Sequence, residues 1–164
     1  SLYLVGGKRT PIRFDRYASK DYRNGKFFQH YDIREGKWSR LPRMKYSHNR
    51  AACCIHDDIL YVSGGAYLTY FKGYIECYDF KAGKWGVFET SMPKPKMDHT
   101  LIAYDNQLWF FGGEKYKSGT SEIVPDLSWY SYDLKAHSWS DTFSLPKTRG
   151  DLTTLKIFDV VVGL

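Results

Sequence analysis

Cys53, Cys54, His56 and Cys77 fall in one short stretch, and thiolate and imidazole groups together are ligands for zinc or copper. Adjacent cysteines on an extended segment point to opposite faces, however, and no CxxC pair is present. Small apolar filler is the competing reading of these thiols. Ser63, in VSGGAY, stands before two glycines but lacks the GxSxG frame of a nucleophile elbow. Neither GxxxxGK[ST] nor HExxH occurs, and His30, His48, His99 and His137 are scattered along the chain. An enzyme is not expected, and neither is a metal or another cofactor.

Charge gives a stronger signal. Residues 1–50 hold thirteen Lys/Arg against four Asp/Glu, whereas residues 51–164 hold eleven against fourteen. Much of the excess lies between Gly7 and Lys26, where Arg9, Arg13, Arg16, Tyr17, Tyr22 and Arg23 interleave cations with rings. Single-strand nucleic-acid binders use that mixture, but the patch is short and the remainder of the chain is acidic. An acidic peptide or another protein partner is the expectation, and nucleic acid is not.

These residues must be carried by strands. Aromatic residues make up 18% of the 164, an enrichment suited to pleated surfaces, and an all-β chain is predicted. No apolar run approaches the roughly 20 residues that cross a bilayer. Three cysteines form no even framework of disulfides, which suits a reducing compartment, the cytoplasm or nucleus.

The strands come in repeats. YDIREGKW (Tyr31–Trp38), YDFKAGKW (Tyr78–Trp85) and YDLKAHSW (Tyr132–Trp139) keep one internal spacing. A glycine pair follows an apolar run at Gly6-Gly7, Gly64-Gly65 and Gly112-Gly113, and VVVGL (Val160–Leu164) opens a fourth copy. Repeats of about fifty residues point to propellers or solenoids. The middle copy predicts strands at Ala51–Ile55, Ile59–Ser63, Tyr74–Phe80 and Lys84–Phe88, one antiparallel blade. In its last hairpin Asp79 can accept backbone N–H bonds and Gly83 can take positive φ, fixing the distance to Trp85. Tyr78 and Trp85 are expected to pack beside the glycine pair, whose missing Cβ atoms admit a ring. His137 replaces that turn glycine in the third copy, at a cost of up to about 1 kcal/mol.

In this glycine-pair, Tyr and Trp signature the chain resembles the kelch repeat, and in HNRAACCIHDDILYVSGG and YIECYDFKAGKW it looks most like the propellers of BTB-kelch proteins. The resemblance implies a kelch β-propeller of about three four-stranded blades plus part of a fourth: an incomplete first blade over 1–47, a second over 48–96, a third over 97–147 and the start of a fourth over 148–164. Four to eight blades close a propeller, so a piece of a longer protein is expected. The family implies a protein-interaction module, here the substrate-recognition propeller of a BTB-kelch adaptor for a cullin ubiquitin ligase, with the cullin held by domains outside this sequence. Kelch proteins also include actin-binding cytoskeletal scaffolds and copper enzymes like galactose oxidase, the two alternatives.

Blade topology sends the loop from second to third strand and the connection between blades to the same rim. The candidate contact residues there are Arg9, Arg13, Arg16 and Tyr17 from the first loop, Tyr67, Tyr70, Phe71 and Lys72 from the second, and Lys115, Tyr116 and Lys117 from the third. The connections add His48, Asn49 and Arg50, then Asp98 and His99, then Arg149. The resemblance implies that Arg50 and Arg149 grip an acidic motif through charge-assisted bonds, with Asp98 breaking the basic pattern.

Overall fold

The computed structural model describes residues 1–7, 25–67, 70–71, 73–146, 154–157 and 160–163. Every regular element among them is a strand. The first sheet joins β1 (Leu2–Val5), β2 (Phe28–Asp32) and β3 (Lys37–Arg40) in that order. The second runs β4 (Ala52–His56), β5 (Ile59–Ser63), β8 (Ile75–Asp79), β9 (Lys84–Val87), with the small hairpin β6 (Ala66–Tyr67) and β7 (Tyr70–Phe71) inserted after its glycine pair. The third runs β10 (Thr100–Tyr104), β11 (Gln107–Phe111), β14 (Ser128–Asp133), β15 (Ser138–Trp139). Its inserted hairpin is β12 (Glu114–Tyr116) and β13 (Ile123–Pro125), and β16 (Phe143–Ser144) extends its outer edge against β14. A last antiparallel pair, β17 (Thr154–Ile157) and β18 (Val160–Gly163), follows.

Hairpin chemistry fixes each sheet. Asp32, Asp79 and Asp133 each accept two backbone N–H bonds from the next turn, at 2.8–3.1 Å. Gly36, Gly83 and His137 all close that turn at positive φ, 65°, 65° and 53°, so the histidine does occupy the strained position. In each copy Tyr then sits directly opposite Trp: Tyr31 with Trp38, Tyr78 with Trp85, Tyr132 with Trp139. Strands one and two of the blades meet through two-residue turns, Asp57-Asp58 and Asp105-Asn106, with φ between 47° and 60°, as primed hairpin turns require.

The core lies between sheets. Phe28 and Met44 of the first blade pack with Leu60, Val62 and Tyr78 of the second. Ala52, Tyr61, Ile75 and Met92 of the second pack with Leu101, Leu108, Phe110, Tyr130 and Tyr132 of the third. Strands covered on both faces lose the alternation of polar and apolar residues, and β5 is buried at four successive positions. Inner strands β4, β10 and β17 are neighbours in that order, the radial arrangement of a propeller.

The missing Cβ atoms of the glycine pairs do admit close neighbours, a ring among them at Gly64, but these are not Tyr78 or Trp85. Tyr78 and Trp85 sit at the far end of the sheet, opposite Leu60. What approaches Gly64 is the connection to the next blade: an added Cβ would stand 2.5 Å from the Lys96 carbonyl oxygen and 2.8 Å from the His99 ring. Likewise, a Cβ on Gly6 would lie 2.3 Å from the His48 carbonyl oxygen. The pairs give the following connection room to hydrogen-bond, Gly7 N–H to His48 and Gly65 N–H to Lys96, each at 3.0 Å.

Indole placement follows the same inter-blade logic. The Trp85 N–H donates to the Pro42 carbonyl at 2.7 Å, and the Trp139 N–H to Thr90 Oγ1 at 3.3 Å, each acceptor lying just beyond the preceding blade. Trp38, at the same register position, is 55% exposed. Trp85→Ala or Trp139→Ala is therefore expected to cost about 2–3 kcal/mol, below the ~3–5 kcal/mol of a fully buried ring. Trp38→Ala should cost less than about 1 kcal/mol. Urea midpoints of the three variants check this ranking, and three equal losses would mean that the indole acts within its own sheet.

Candidate functional site

Two backbone bridges assemble the rim. Asn49, entering the second blade, pairs with Ala66, and Met97, entering the third, pairs with Glu114. Connections between blades and the inserted hairpins thus share one edge, and the two-residue turns lie at the other. Gly7 and Gly25, which flank residues 8–24, both bond to the His48 backbone at this edge, at 3.0 and 2.9 Å.

The expected contact residues divide into several groups. Arg9, Arg13, Arg16, Tyr17, Lys72 and Arg149 lie outside the described residues. Tyr67 and Tyr70 pair through their backbones in the β6–β7 hairpin. Phe71 stacks on Tyr116 of the neighbouring blade's hairpin, centroids 4.2 Å apart and planes 15° from parallel, so the rings of two insertions form one surface. Lys115 Nζ bonds Asp126 at 2.9 Å and Lys117 bonds Glu122 at 3.0 Å.

Four residues are corrected by the structure. His48 and His99, expected on the rim, are 1% and 5% exposed and belong to the interior. Arg50 is exposed but engaged, one guanidinium nitrogen reaching both Asp98 and, at 2.8 Å, Glu114. The bond from Asp98 raises its pKa further. Asp98, expected to interrupt a basic pocket, is instead the partner that clamps Arg50 across the joint. Arg50 and Asp98 occupy equivalent connection positions and share positive φ, 60° and 48°.

Beneath the rim lie buried polar side chains that carry no sequence motif. His48 Nδ1 bonds the Gly64 carbonyl at 2.9 Å and Nε2 bonds Glu76 at 3.1 Å, both side chains fully buried. Glu76 also accepts the Lys45 and Tyr46 N–H groups at 2.8 Å each. At the equivalent point of the next joint, Lys96 meets Asp126 at 2.8 Å, with side-chain exposures of 0% and 1%. Burial pushes the Asp126 carboxyl up, but hydrogen bonds from Lys96 and Ser128 outweigh it and hold the group well below the usual carboxylate range. Burial pulls the Lys96 ammonium down, opposed by Asp126. Both pairs tie a connection to the blade it enters.

The suspected chemical groups do not converge. Cys53 is exposed while Cys54 and Cys77 pack against the core, and burial raises both inner thiols, Cys77 to about 12. Among the described residues no three His, Cys, Asp or Glu side chains group as a metal-binding set. Ser63 does meet His99, Oγ to Nε2 at 2.8 Å, but the serine is fully buried, where no substrate reaches it.

A second cluster lies where the first connection crosses the rim. Arg43 stands over the Phe27 ring, 4.9 Å from its centroid, and Lys45 over Tyr46 at 5.2 Å. Tyr46 stacks on Tyr74, centroids 4.1 Å apart. In the sequence LPRMKY carries only one ring of this cluster, Tyr46, because the other two, Phe27 and Tyr74, come from distant segments.

Comparison with known proteins bears on this geometry. The chain is 29% identical over 149 residues to kelch-like protein 38 of Danio rerio, covering 88% of this chain and 22% of the relative. It is 23% identical over 163 residues to kelch repeat protein M-T8 of myxoma virus, covering 94% of this chain and 27% of the relative. Kelch-like protein 23 of Homo sapiens is 28% identical over 106 residues, 60% of this chain and 18% of that protein. The chain thus spans less than a third of the length of each. Among solved structures, that of YjhT superposes with a TM-score of 0.73 at 18% identity over 87% of this chain and 45% of the other. No protein-family model matches. Repeats, sheets and likenesses agree: the fold is a kelch-repeat β-propeller, all-β, with radial four-stranded blades.

Proposed function

We propose that this chain recognises a protein partner through the rim where connections and inserted hairpins meet, and that it works as a binding module and not as an enzyme. The observation that carries this reading is the joint surface built by the two hairpins, with Phe71 of one stacked on Tyr116 of the next. Exposed aromatic and basic side chains on a rigid scaffold are the usual material of contact faces. Blades divided at 47/48, 96/97 and 147/148 put each buried tether, His48 with Glu76 and Lys96 with Asp126, at the entry to a blade. Likeness to kelch-like proteins supports the finer reading of a substrate-recognition propeller in a cullin ubiquitin ligase adaptor, and the free thiols support a reducing compartment such as the cytoplasm.

Photo-crosslinking tests the rim. With benzoylphenylalanine in place of Phe71 or Tyr116 of the full-length protein, specific protein adducts are expected in cells. The same group in place of Asp58 or Asn106, on the opposite edge, should give none. Adducts from the opposite edge alone, or equally from both, would overturn the reading.

A further inference from the structure

We infer that an acidic segment of the protein partner is gripped at Arg43 and Lys45, in the connection between the first and second blades, and not at Arg50. The inference deepens the rim reading and rests on it. Three observations separate the two places. First, Arg50 already holds two carboxylates, Asp98 and Glu114, so an incoming carboxylate would have to displace an internal one. Arg43 and Lys45 are exposed, and neither takes part in an ion pair among the described residues. Second, the carboxylate bonded to this segment is consumed below the surface. Glu76 is fully buried and spends its oxygens on the Lys45 and Tyr46 N–H groups and on His48. Third, both cations are positioned beforehand. Arg43 lies over Phe27 and Lys45 over Tyr46, and the connection under them is pinned by the two bonds to Glu76. Long side chains held on rings lose less freedom on binding than free ones.

The same geometry favours a carboxylate-bearing peptide over single-stranded nucleic acid. A stacking platform needs an open ring face, but Tyr46 is already stacked on Tyr74 and carries the Lys45 ammonium. Two cations can clamp adjacent or alternate carboxylates of an extended peptide by charge-assisted hydrogen bonds.

Fluorescence anisotropy with a labelled hexaglutamate peptide and the full-length protein tests this. Wild-type protein should bind, with affinity falling steeply as salt rises. Arg43→Gln with Lys45→Gln should weaken binding about tenfold or more, and thermal melting should be unchanged because both side chains are exposed. Lys84→Gln with Lys135→Gln removes the same charge near the opposite edge and should leave affinity within about twofold. Equal weakening by both pairs, no binding by wild type, or tighter binding of a ten-residue oligothymidylate through the same two side chains would overturn the inference. Rim crosslinks without peptide binding would sink the acidic chemistry alone and leave the rim standing.

Discussion

Lys96→Met is expected to lower the unfolding free energy by about 3 kcal/mol, near the low end of the roughly 3–5 kcal/mol for breaking a buried ion pair. The cost arises because Asp126 keeps its charge in a site with 1% side-chain exposure. Its remaining partners are the Ser128 hydroxyl and N–H and the half-exposed Lys115, and Lys115 is why the lower figure is expected. Lys96 also donates to Ser128 and stands 4.7 Å from the Tyr130 ring centroid, so methionine keeps the volume and loses only the charge and its bonds. Removing both charges, Lys96→Met with Asp126→Leu, should regain part of the loss, since no buried charge is then left unpaired. Urea titrations with a common slope supply the measurement. A Lys96→Met loss below about 1 kcal/mol would mean that water reaches Asp126 and that the pair is no tether.

How much of this was legible in the sequence depends on the range over which each cause acts. The Tyr-Asp-to-Trp spacing could be read because its cause is local: Asp79 bonds the N–H groups two and three residues on, and the turn must close. His137 could be flagged for the same reason, since the turn register alone demands its positive φ. The glycine pairs were visible but their role was not, because the atom they accommodate belongs to Lys96 or His48, more than thirty residues later. Arg50 misled for a related reason. A basic residue beside a strand reads as a free cation, but its carboxylates, Asp98 and Glu114, lie 48 and 64 residues away. The tethers had no signature at all. One joint uses His with Glu and the next uses Lys with Asp, the basic members at equivalent points of the connections but the acids from non-equivalent positions in their blades, so what repeats is a buried hydrogen-bonded pair and not a residue type.

That contact also explains how variable edges and a fixed scaffold coexist. Insertions after the glycine pairs grow outward, whereas the connection that follows is held from below by its buried side chain and from beside by the glycine N–H. A partner meeting the rim therefore touches segments whose backbones are already fixed. The cations best placed for such a partner are those that the tethers leave over, Arg43 and Lys45, and not the Arg50 that the joint consumes.

Acid should loosen the joint between the second and third blades before it affects carboxylates. His99 is buried, its Nε2 bonded to Ser63 and its Nδ1 without a partner among the described residues. Burial first, and then the nearby Lys96 ammonium, pull its pKa from 6.5 down to about 3. A depressed histidine stays neutral in the folded protein while the unfolded chain takes up a proton, so its stabilisation is full above pH 6.5 and is lost as pH falls toward about 3. The slope approaches ~1.4 kcal/mol per pH unit, or about 2 kcal/mol between pH 6.5 and 5. Asp126 is also depressed, and Glu89 is held down by bonds from His137 and Tyr132. These carboxylates act mainly around and below their ordinary values of 3.8 and 4.5, lower than the window in which His99 acts. Denaturation midpoints measured from pH 7 to 5 should show this decline in the wild type and a flatter profile in His99→Gln, whatever the variant's stability at pH 7. A wild-type profile already flat over that range, or an equal slope in the variant, would show that His99 exchanges protons freely and that the joint is open to water.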